Sequence, residues 1–291
     1  MGAVQPGILE PVPPLASYLF FALHPDASPR KALGSLRTIC DGNRMVVGLG
    51  QPLVLSLGRK IDGLRLFPIH AGPGFEVPST PMALWVWLRG KDRGELVHTA
   101  RDVEKAVAPA FHLMSRIDAF RYGRGLDLSG YEDGTENPKG GKAINAAVVR
   151  GGTLDGSSFV AVQQWVHDLD HFESFKERER DRIIGRRIRD NKEIGNAPES
   201  AHVKRAAQES FAPEAFMLRR SMPWADANRE GLVFVAFGKS FDAFQAVLKR
   251  MAGAEDGIAD ALFRFTRPVT GAYFWCPPTS KGRLDLRALG L

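Results

Sequence analysis

Five short runs rich in apolar and aromatic residues recur along this chain, each bounded by Gly, Pro or polar residues. They are Ala16–Leu23, Ala83–Leu88, Phe159–Val166, Gly231–Gly238 and Gly271–Cys276. Runs of this length and composition read as buried β-strands. Between them lie segments with helical spacing: Pro29–Cys40, Gly94–Ile117, Asp168–Arg189 and Ser240–Met251. In Gly94–Ile117 the residues Leu96, Val103, Val107, Phe111 and Met114 share one face, and Pro109 is expected to kink the helix. Strands and helices do not alternate as regular βαβ units. The second half follows the element order of the first without a detectable sequence repeat. The pattern predicts an α+β fold of two units with antiparallel sheets.

A chain of 291 residues is long enough for two compact units. The segment Asp118–Lys142 is rich in Gly, Asp, Asn and Pro and reads as a long loop. Long loops inside compact domains are commonly functional. The boundary is placed there, giving units 1–140 and 141–291.

Charge narrows the function classes. Lys plus Arg is 39 against 33 for Asp plus Glu, a net charge of +6. That mild excess suits anionic small molecules better than nucleic acid, which needs a basic stripe. The most charged run, Glu173–Asp190, alternates in sign and reads as a solvated helix laced by i,i+4 pairs. No apolar run reaches the roughly 20 residues that span a bilayer. Cys40 and Cys276 stand alone, which fits reduced core thiols in a cytoplasmic protein. The opening residues lack a basic leader pattern, and the apolar stretch after them is interrupted by Ser17 and Tyr18.

The nucleophile-elbow, phosphate-loop, zinc-protease and dinucleotide patterns are absent from the sequence. Three other segments can carry chemistry. In Gly130-Tyr-Glu-Asp-Gly-Thr-Glu-Asn-Pro138, two glycines bracket Asp133, leaving room for a bulky group to approach. Ser200–Arg205 contains His202; a lone histidine is more often structural than a ligand. Met217–Trp224 sets Arg219 among apolar residues, where an arginine is often a structural ion-pair member. His167 reads as structural, at the start of a helical segment with Asp168 as its N-cap.

In this order the three segments resemble the dye-decolorizing peroxidase family, in its compact bacterial class B form. The resemblance also takes in Gln5–Leu9, Val166-His-Asp-Leu169 and Val269-Thr-Gly271, and so runs over nearly the whole chain. It implies two ferredoxin-like units and haem b bound in the C-terminal unit. It implies that His202 is the proximal iron ligand, its other ring nitrogen given to a carboxylate. Asp260 is the candidate for that carboxylate, with Glu255 and Asp256 nearby in the chain. Asp133 resembles the distal acid–base residue that moves a proton between the peroxide oxygens. A carboxylate is a weak base, which favours mildly acid conditions. Arg219 resembles the distal arginine, stabilising developing negative charge and contacting the cofactor. Ser221 stands where some class members carry Asn, and a hydroxyl there could hold a water.

The substrates implied are hydrogen peroxide and small aromatic reductants, in a homo-oligomer that binds neither nucleic acid nor membrane. Bulky dyes would need aromatic relays, for which Trp85, Trp87, Trp165, Trp224, Trp275, Tyr122, Tyr131 and Tyr273 are available, although core packing is the commoner role of such residues. The last residues form no long extension, so packaging in a nanocompartment is not expected. The alternative function is haem binding or haem-iron release without peroxidase activity, which would need only His202 and a pocket.

Overall fold

The computed structural model describes residues 2–72, 74–108 and 110–291. Eight strands form one closed antiparallel sheet: β1 (Leu15–Leu23), β2 (Met45–Gly50), β3 (Leu84–Gly90), β4 (Phe111–Phe120), β5 (Ser158–His167), β6 (Met222–Ala225), β7 (Glu230–Gly238) and β8 (Ala272–Cys276). Around the ring the order is β4-β1-β3-β2-β8-β5-β7-β6, closed by β6 against β4. The two halves of the chain therefore meet at two short seams. One pairs Ala119 with Trp224, and the other pairs Leu49 and Gly50 with Trp275 and Phe274.

The strand alternation explains the core. Every second residue of all eight strands points into the barrel, where Tyr18, Val46, Trp85, Ile117, Val160, Trp224, Val235 and Phe274 belong to one buried cluster. Trp85 and Trp87 stack on Tyr18 there, with centroids 6.3 and 6.1 Å away. The other strand faces pack on helices. α1 (Arg30–Ile39) and α2 (Arg93–Val107) lie together over the first half, and α3 (Asp242–Met251) covers the second. Asp92 caps α2 by accepting from the Glu95 amide, and Leu96, Ala100, Val103 and Val107 form its buried stripe. Cys40 and Cys276 are free and buried; burial pushes the Cys40 thiol up to about 12 and Cys276 well above its usual value, so neither is a nucleophile at neutral pH.

Two expectations are corrected. The helix expected over 94–117 ends at Val107, and 111–120 is strand β4. There Phe111, Ile117 and Ala119 are buried while Met114 is exposed, a period of two that the helical spacing masked. Pairing with β1 along its whole length decides the matter, because that ladder satisfies the backbone groups of one edge from Phe111 to Phe120. Pro109, expected to kink this helix, lies outside the described residues. The helix expected over 168–189 is two short ones, Leu169–Ser174 and Glu177–Ile184, the second stopped by Gly185 at φ 93°. His167 ends β5 rather than opening a helix, although Asp168 does cap by accepting from the His171 amide.

Candidate functional site

The outer face of the second half of the barrel is unusually mixed in character. On β5 the inward residues are Val160 and Val162, while the outward positions 163, 165 and 167 carry Gln, Trp and His. These three, with Leu232 and Phe234 of β7, form one wall of a cleft of about 1000 Å³. Phe244, Val247, Leu248 and Met251 of α3 close the other side. Asp133, His202 and Arg219 all reach this cleft, as do Asp127 and Tyr131.

His202 opens a one-turn helix, His202–Arg205. Its Nδ1 donates to Asp260 Oδ2 at 2.8 Å, and Asp260 is fully buried on its side chain. Asp260 Oδ1 also accepts from the Leu262 amide, which fixes the carboxylate. Its sequence neighbours are taken elsewhere: Asp256 pairs with Arg205 and Glu255 with Arg250. Nε2 of His202 has no protein partner among the described residues, so this imidazole can coordinate a metal ion through one nitrogen. His167 lines the same cleft but cannot do so as it stands. Its Nε2 bonds Asp127 Oδ2 at 3.0 Å and its Nδ1 meets Thr266 Oγ1 at 2.6 Å.

Asp133 and Arg219 face each other, Oδ1 to Nη1 at 3.8 Å. Asn137 sets that approach: its Nδ2 donates to the Arg219 carbonyl at 3.0 Å and its Oδ1 accepts from the Arg219 amide at 2.8 Å. The side chain thus ties the aspartate loop to the Leu218–Arg219 strand, which pairs with β7. Gly134 makes the turn possible, with φ 74° and so little space that a Cβ would sit 2.8 Å from Asn137 Nδ2. Glycine at 134 is therefore required by the turn itself. Ser221 lies beside Arg219 but lines a second cleft, and its hydroxyl accepts from the Val235 amide at 3.4 Å.

The charged run 173–190 is solvated over its first half, as expected, but from Asp181 on it turns inward and does a second job. Buried Asp181 accepts from Tyr131 Oη at 2.6 Å and from the Ile188 amide at 2.9 Å. Arg186 reaches Glu136 at 2.9 Å, and Asn191 reaches Glu132 and Thr135. These contacts hold the whole aspartate loop from outside. Burial, then the Asp181 carboxylate, pushes the Tyr131 phenol well up, so it stays a donor. Asp127 and Gln163 were not singled out in the sequence, and Asn137 stood there only as part of the Gly130–Pro138 string. A polar face on an otherwise apolar strand was the available signal for Gln163. Of the relay candidates, Trp165 lines the cleft, Trp224 Nε1 donates to its carbonyl at 3.0 Å, and Trp85 and Trp87 are sealed in the barrel.

Comparison with known proteins fits this geometry. Residues 124–281 match the family described as Dyp-type peroxidase, C-terminal. The chain belongs to the Dyp-type peroxidase family. It is an oxidoreductase of the dye-decolorizing peroxidase type. A dye-decolorizing peroxidase of Mycobacterium tuberculosis is 28% identical over 94% of this chain and 89% of its own length. The dye-decolorizing protein from V. cholerae superposes with a TM-score of 0.87 at 26% identity, covering 98% of both chains. A Rhodococcus jostii DypB variant solved in complex with heme superposes at 0.84, with 23% identity over 95% of this chain and 96% of its own. This mixed fold of helices and antiparallel strands is thus that of the Dyp-type structures.

The Asp127–His167 pair predicts a pH effect on stability. Burial alone would raise Asp127, but the bond and charge of His167 and two bonds from Ser129 outweigh it and hold the carboxyl below its usual value. A lowered native value stabilises the fold above the unfolded aspartate's range near pH 4 and loses that contribution as pH falls through the native value. Asp127→Asn should therefore melt below the wild type at pH 7, and the gap should narrow steadily toward pH 3. A gap that does not depend on pH would contradict this.

Proposed function

We propose that this chain is a haem b peroxidase made of two ferredoxin-like units, 1–140 and 141–291, with the haem in the second. The strand order supports the two units: within each half the four barrel strands run fourth-first-third-second. The observation that carries the haem reading is His202, held at Nδ1 by Asp260 and without an Nε2 partner among the described residues, inside a largely apolar cleft.

The residues fit that group. Among the described residues no three His, Cys, Asp or Glu side chains gather as a metal site, so His202 suits an iron whose other ligands come from a macrocycle. Phe234, Phe244, Val247, Leu248 and Met251 suit its flat apolar body. When bound, haem supplies the iron at which peroxide is reduced. Asp260 orients the imidazole and makes it a stronger donor. Asp133 takes a proton from one peroxide oxygen and returns it to the other, so that water leaves. Arg219 steadies the negative charge that develops meanwhile and contacts the cofactor, with Ser221 beside it. The electron donors are dyes, phenols and similar small aromatics. A haem carrier would need His202 and the cleft alone, and the facing of Asp133 and Arg219 favours the peroxidase. The reading extends to a cytoplasmic homo-oligomer, as the family resemblance implies.

The test is an absorption spectrum of the haem-loaded protein at mildly acid pH, before and after one equivalent of peroxide. The Soret band should change and return when a phenol is added. A ferric spectrum indifferent to peroxide would overturn the peroxidase. Asn137→Ala provides a separate check on the loop clamp. It should lower kcat by about 10- to 100-fold with haem content unchanged, because an ångström of misplacement is worth about that much. Unchanged kcat would remove Asn137 from the positioning role.

A further inference from the structure

On the far side of Asp133 and Arg219 lies a second cleft of about 1300 Å³. Both residues line the two clefts, so the pair stands between them. The floor of the second is apolar, with Leu9, Val12, Leu126, Met222 and Pro223. Its polar rim is one-sided. Five cations line it, Arg121, Arg124, Lys139, Arg219 and Arg220, against the single carboxylate of Asp133.

Local pairing does not cancel this excess. Arg124 is matched by Glu132, and Arg219 by Asp133. Arg220 donates to the carbonyls of Ile8, Leu9 and Arg219, which satisfy its N–H groups without supplying a countercharge. Burial, then the charge of Arg89, lowers it to about 10 against the opposing charge of Glu10, which leaves it cationic at neutral pH but partly compensated. Arg121 and Lys139 are exposed and have no carboxylate partner among the described residues. Two uncompensated cations, Arg121 and Lys139, with the partly compensated Arg220 beside an apolar floor, match a ligand with an aromatic ring and an anionic group.

We propose that the second cleft binds small aromatic carboxylates, phenolic acids in particular, as electron donors. The proposal deepens the peroxidase reading and rests on it for the donor role. Each phenol gives up one electron and its hydroxyl proton, so two are consumed per peroxide: H2O2 plus two phenols yields two waters and two phenoxyl radicals. The carboxylate is recognised and does not react.

The experiment is calorimetric binding of 4-hydroxybenzoate and of uncharged 4-hydroxybenzyl alcohol to the haem-loaded protein, without peroxide. The carboxylate should bind at least tenfold more tightly at low salt, and the preference should shrink as salt screens the cations. The double variant Arg121→Gln/Lys139→Gln should lose that preference while its circular dichroism stays that of the wild type. Equal affinities, or a preference untouched by the double variant, would overturn the site. Carboxylate binding confined to the haem-free chain would assign the cations to the propionates of haem and equally overturn it. With peroxide present, the double variant should raise KM for the carboxylate at least tenfold relative to the alcohol, and an unchanged KM ratio would overturn the donor role. Selective binding without any peroxide turnover would instead fail the peroxidase reading and leave an anion site.

Discussion

His202→Ala should abolish stable haem retention, and with it peroxide turnover, by at least about a thousandfold. The expectation rests on a count of ring nitrogens. Both nitrogens of His167 are already engaged, whereas Nε2 of His202 has no partner among the described residues and lies beside the cleft. On the proposed reading, losing this iron ligand would leave the haem held by apolar contact, which does not define its position. The measurements are haem content and Soret absorbance after purification with haem supplied. Added imidazole should restore ligation in the His202→Ala cleft. Full haem retention by His202→Ala would show that the ligand lies elsewhere. Asp260→Asn should act more gently, by about 10- to 100-fold, because it weakens the orientation of the imidazole without removing it.

Arg219→Leu and Asp133→Asn carry the second large effect. Each should lower kcat/KM for peroxide by about 10² to 10⁴ while leaving the haem spectrum of the resting protein close to the wild type. The two groups face one another at 3.8 Å, so they act on the same small region. Their losses should therefore be less than additive in the double variant. Stopped-flow mixing with peroxide reads the step directly. If Asp133→Asn keeps wild-type rates while Arg219→Leu does not, the proton is moved by another group and the arginine's charge does most of the work. Wild-type rates in both would remove the pair from the mechanism.

The strands and the amphipathic helices were legible because each carries its own period. Phe159–Val166 and Gly231–Gly238 are strands in the structure within one residue of their apolar runs, and α3 buries the Phe244, Val247 and Leu248 face expected of it. The segment 111–120 misled because Phe111 and Met114 continue a helical spacing by coincidence. Only the pairing partner β1, which runs antiparallel to it from Leu15 against Phe120 to Leu23 against Phe111, makes it a strand. The aspartate loop was legible as a motif, with its glycines doing what turn chemistry demands. The clamps that hold it were not, because Tyr131 meets Asp181, and Asn137 meets Arg219, at sequence separations of 50 or more.

The sequence by itself determined which groups the chain has for chemistry: one histidine, one aspartate and one arginine in segments whose order resembles a known family. It also determined the apolar alternation that buries one face of every barrel strand. The tertiary structure decided which imidazole has a nitrogen to spare, which of three neighbouring acids stands against it, and that Asp133 and Arg219 separate two clefts of different character. The physical reason is that hydrogen bonds and charge pairs saturate. Each donor or carboxylate has few partners, and which ones it takes depends on distances between elements that no local pattern in the sequence encodes.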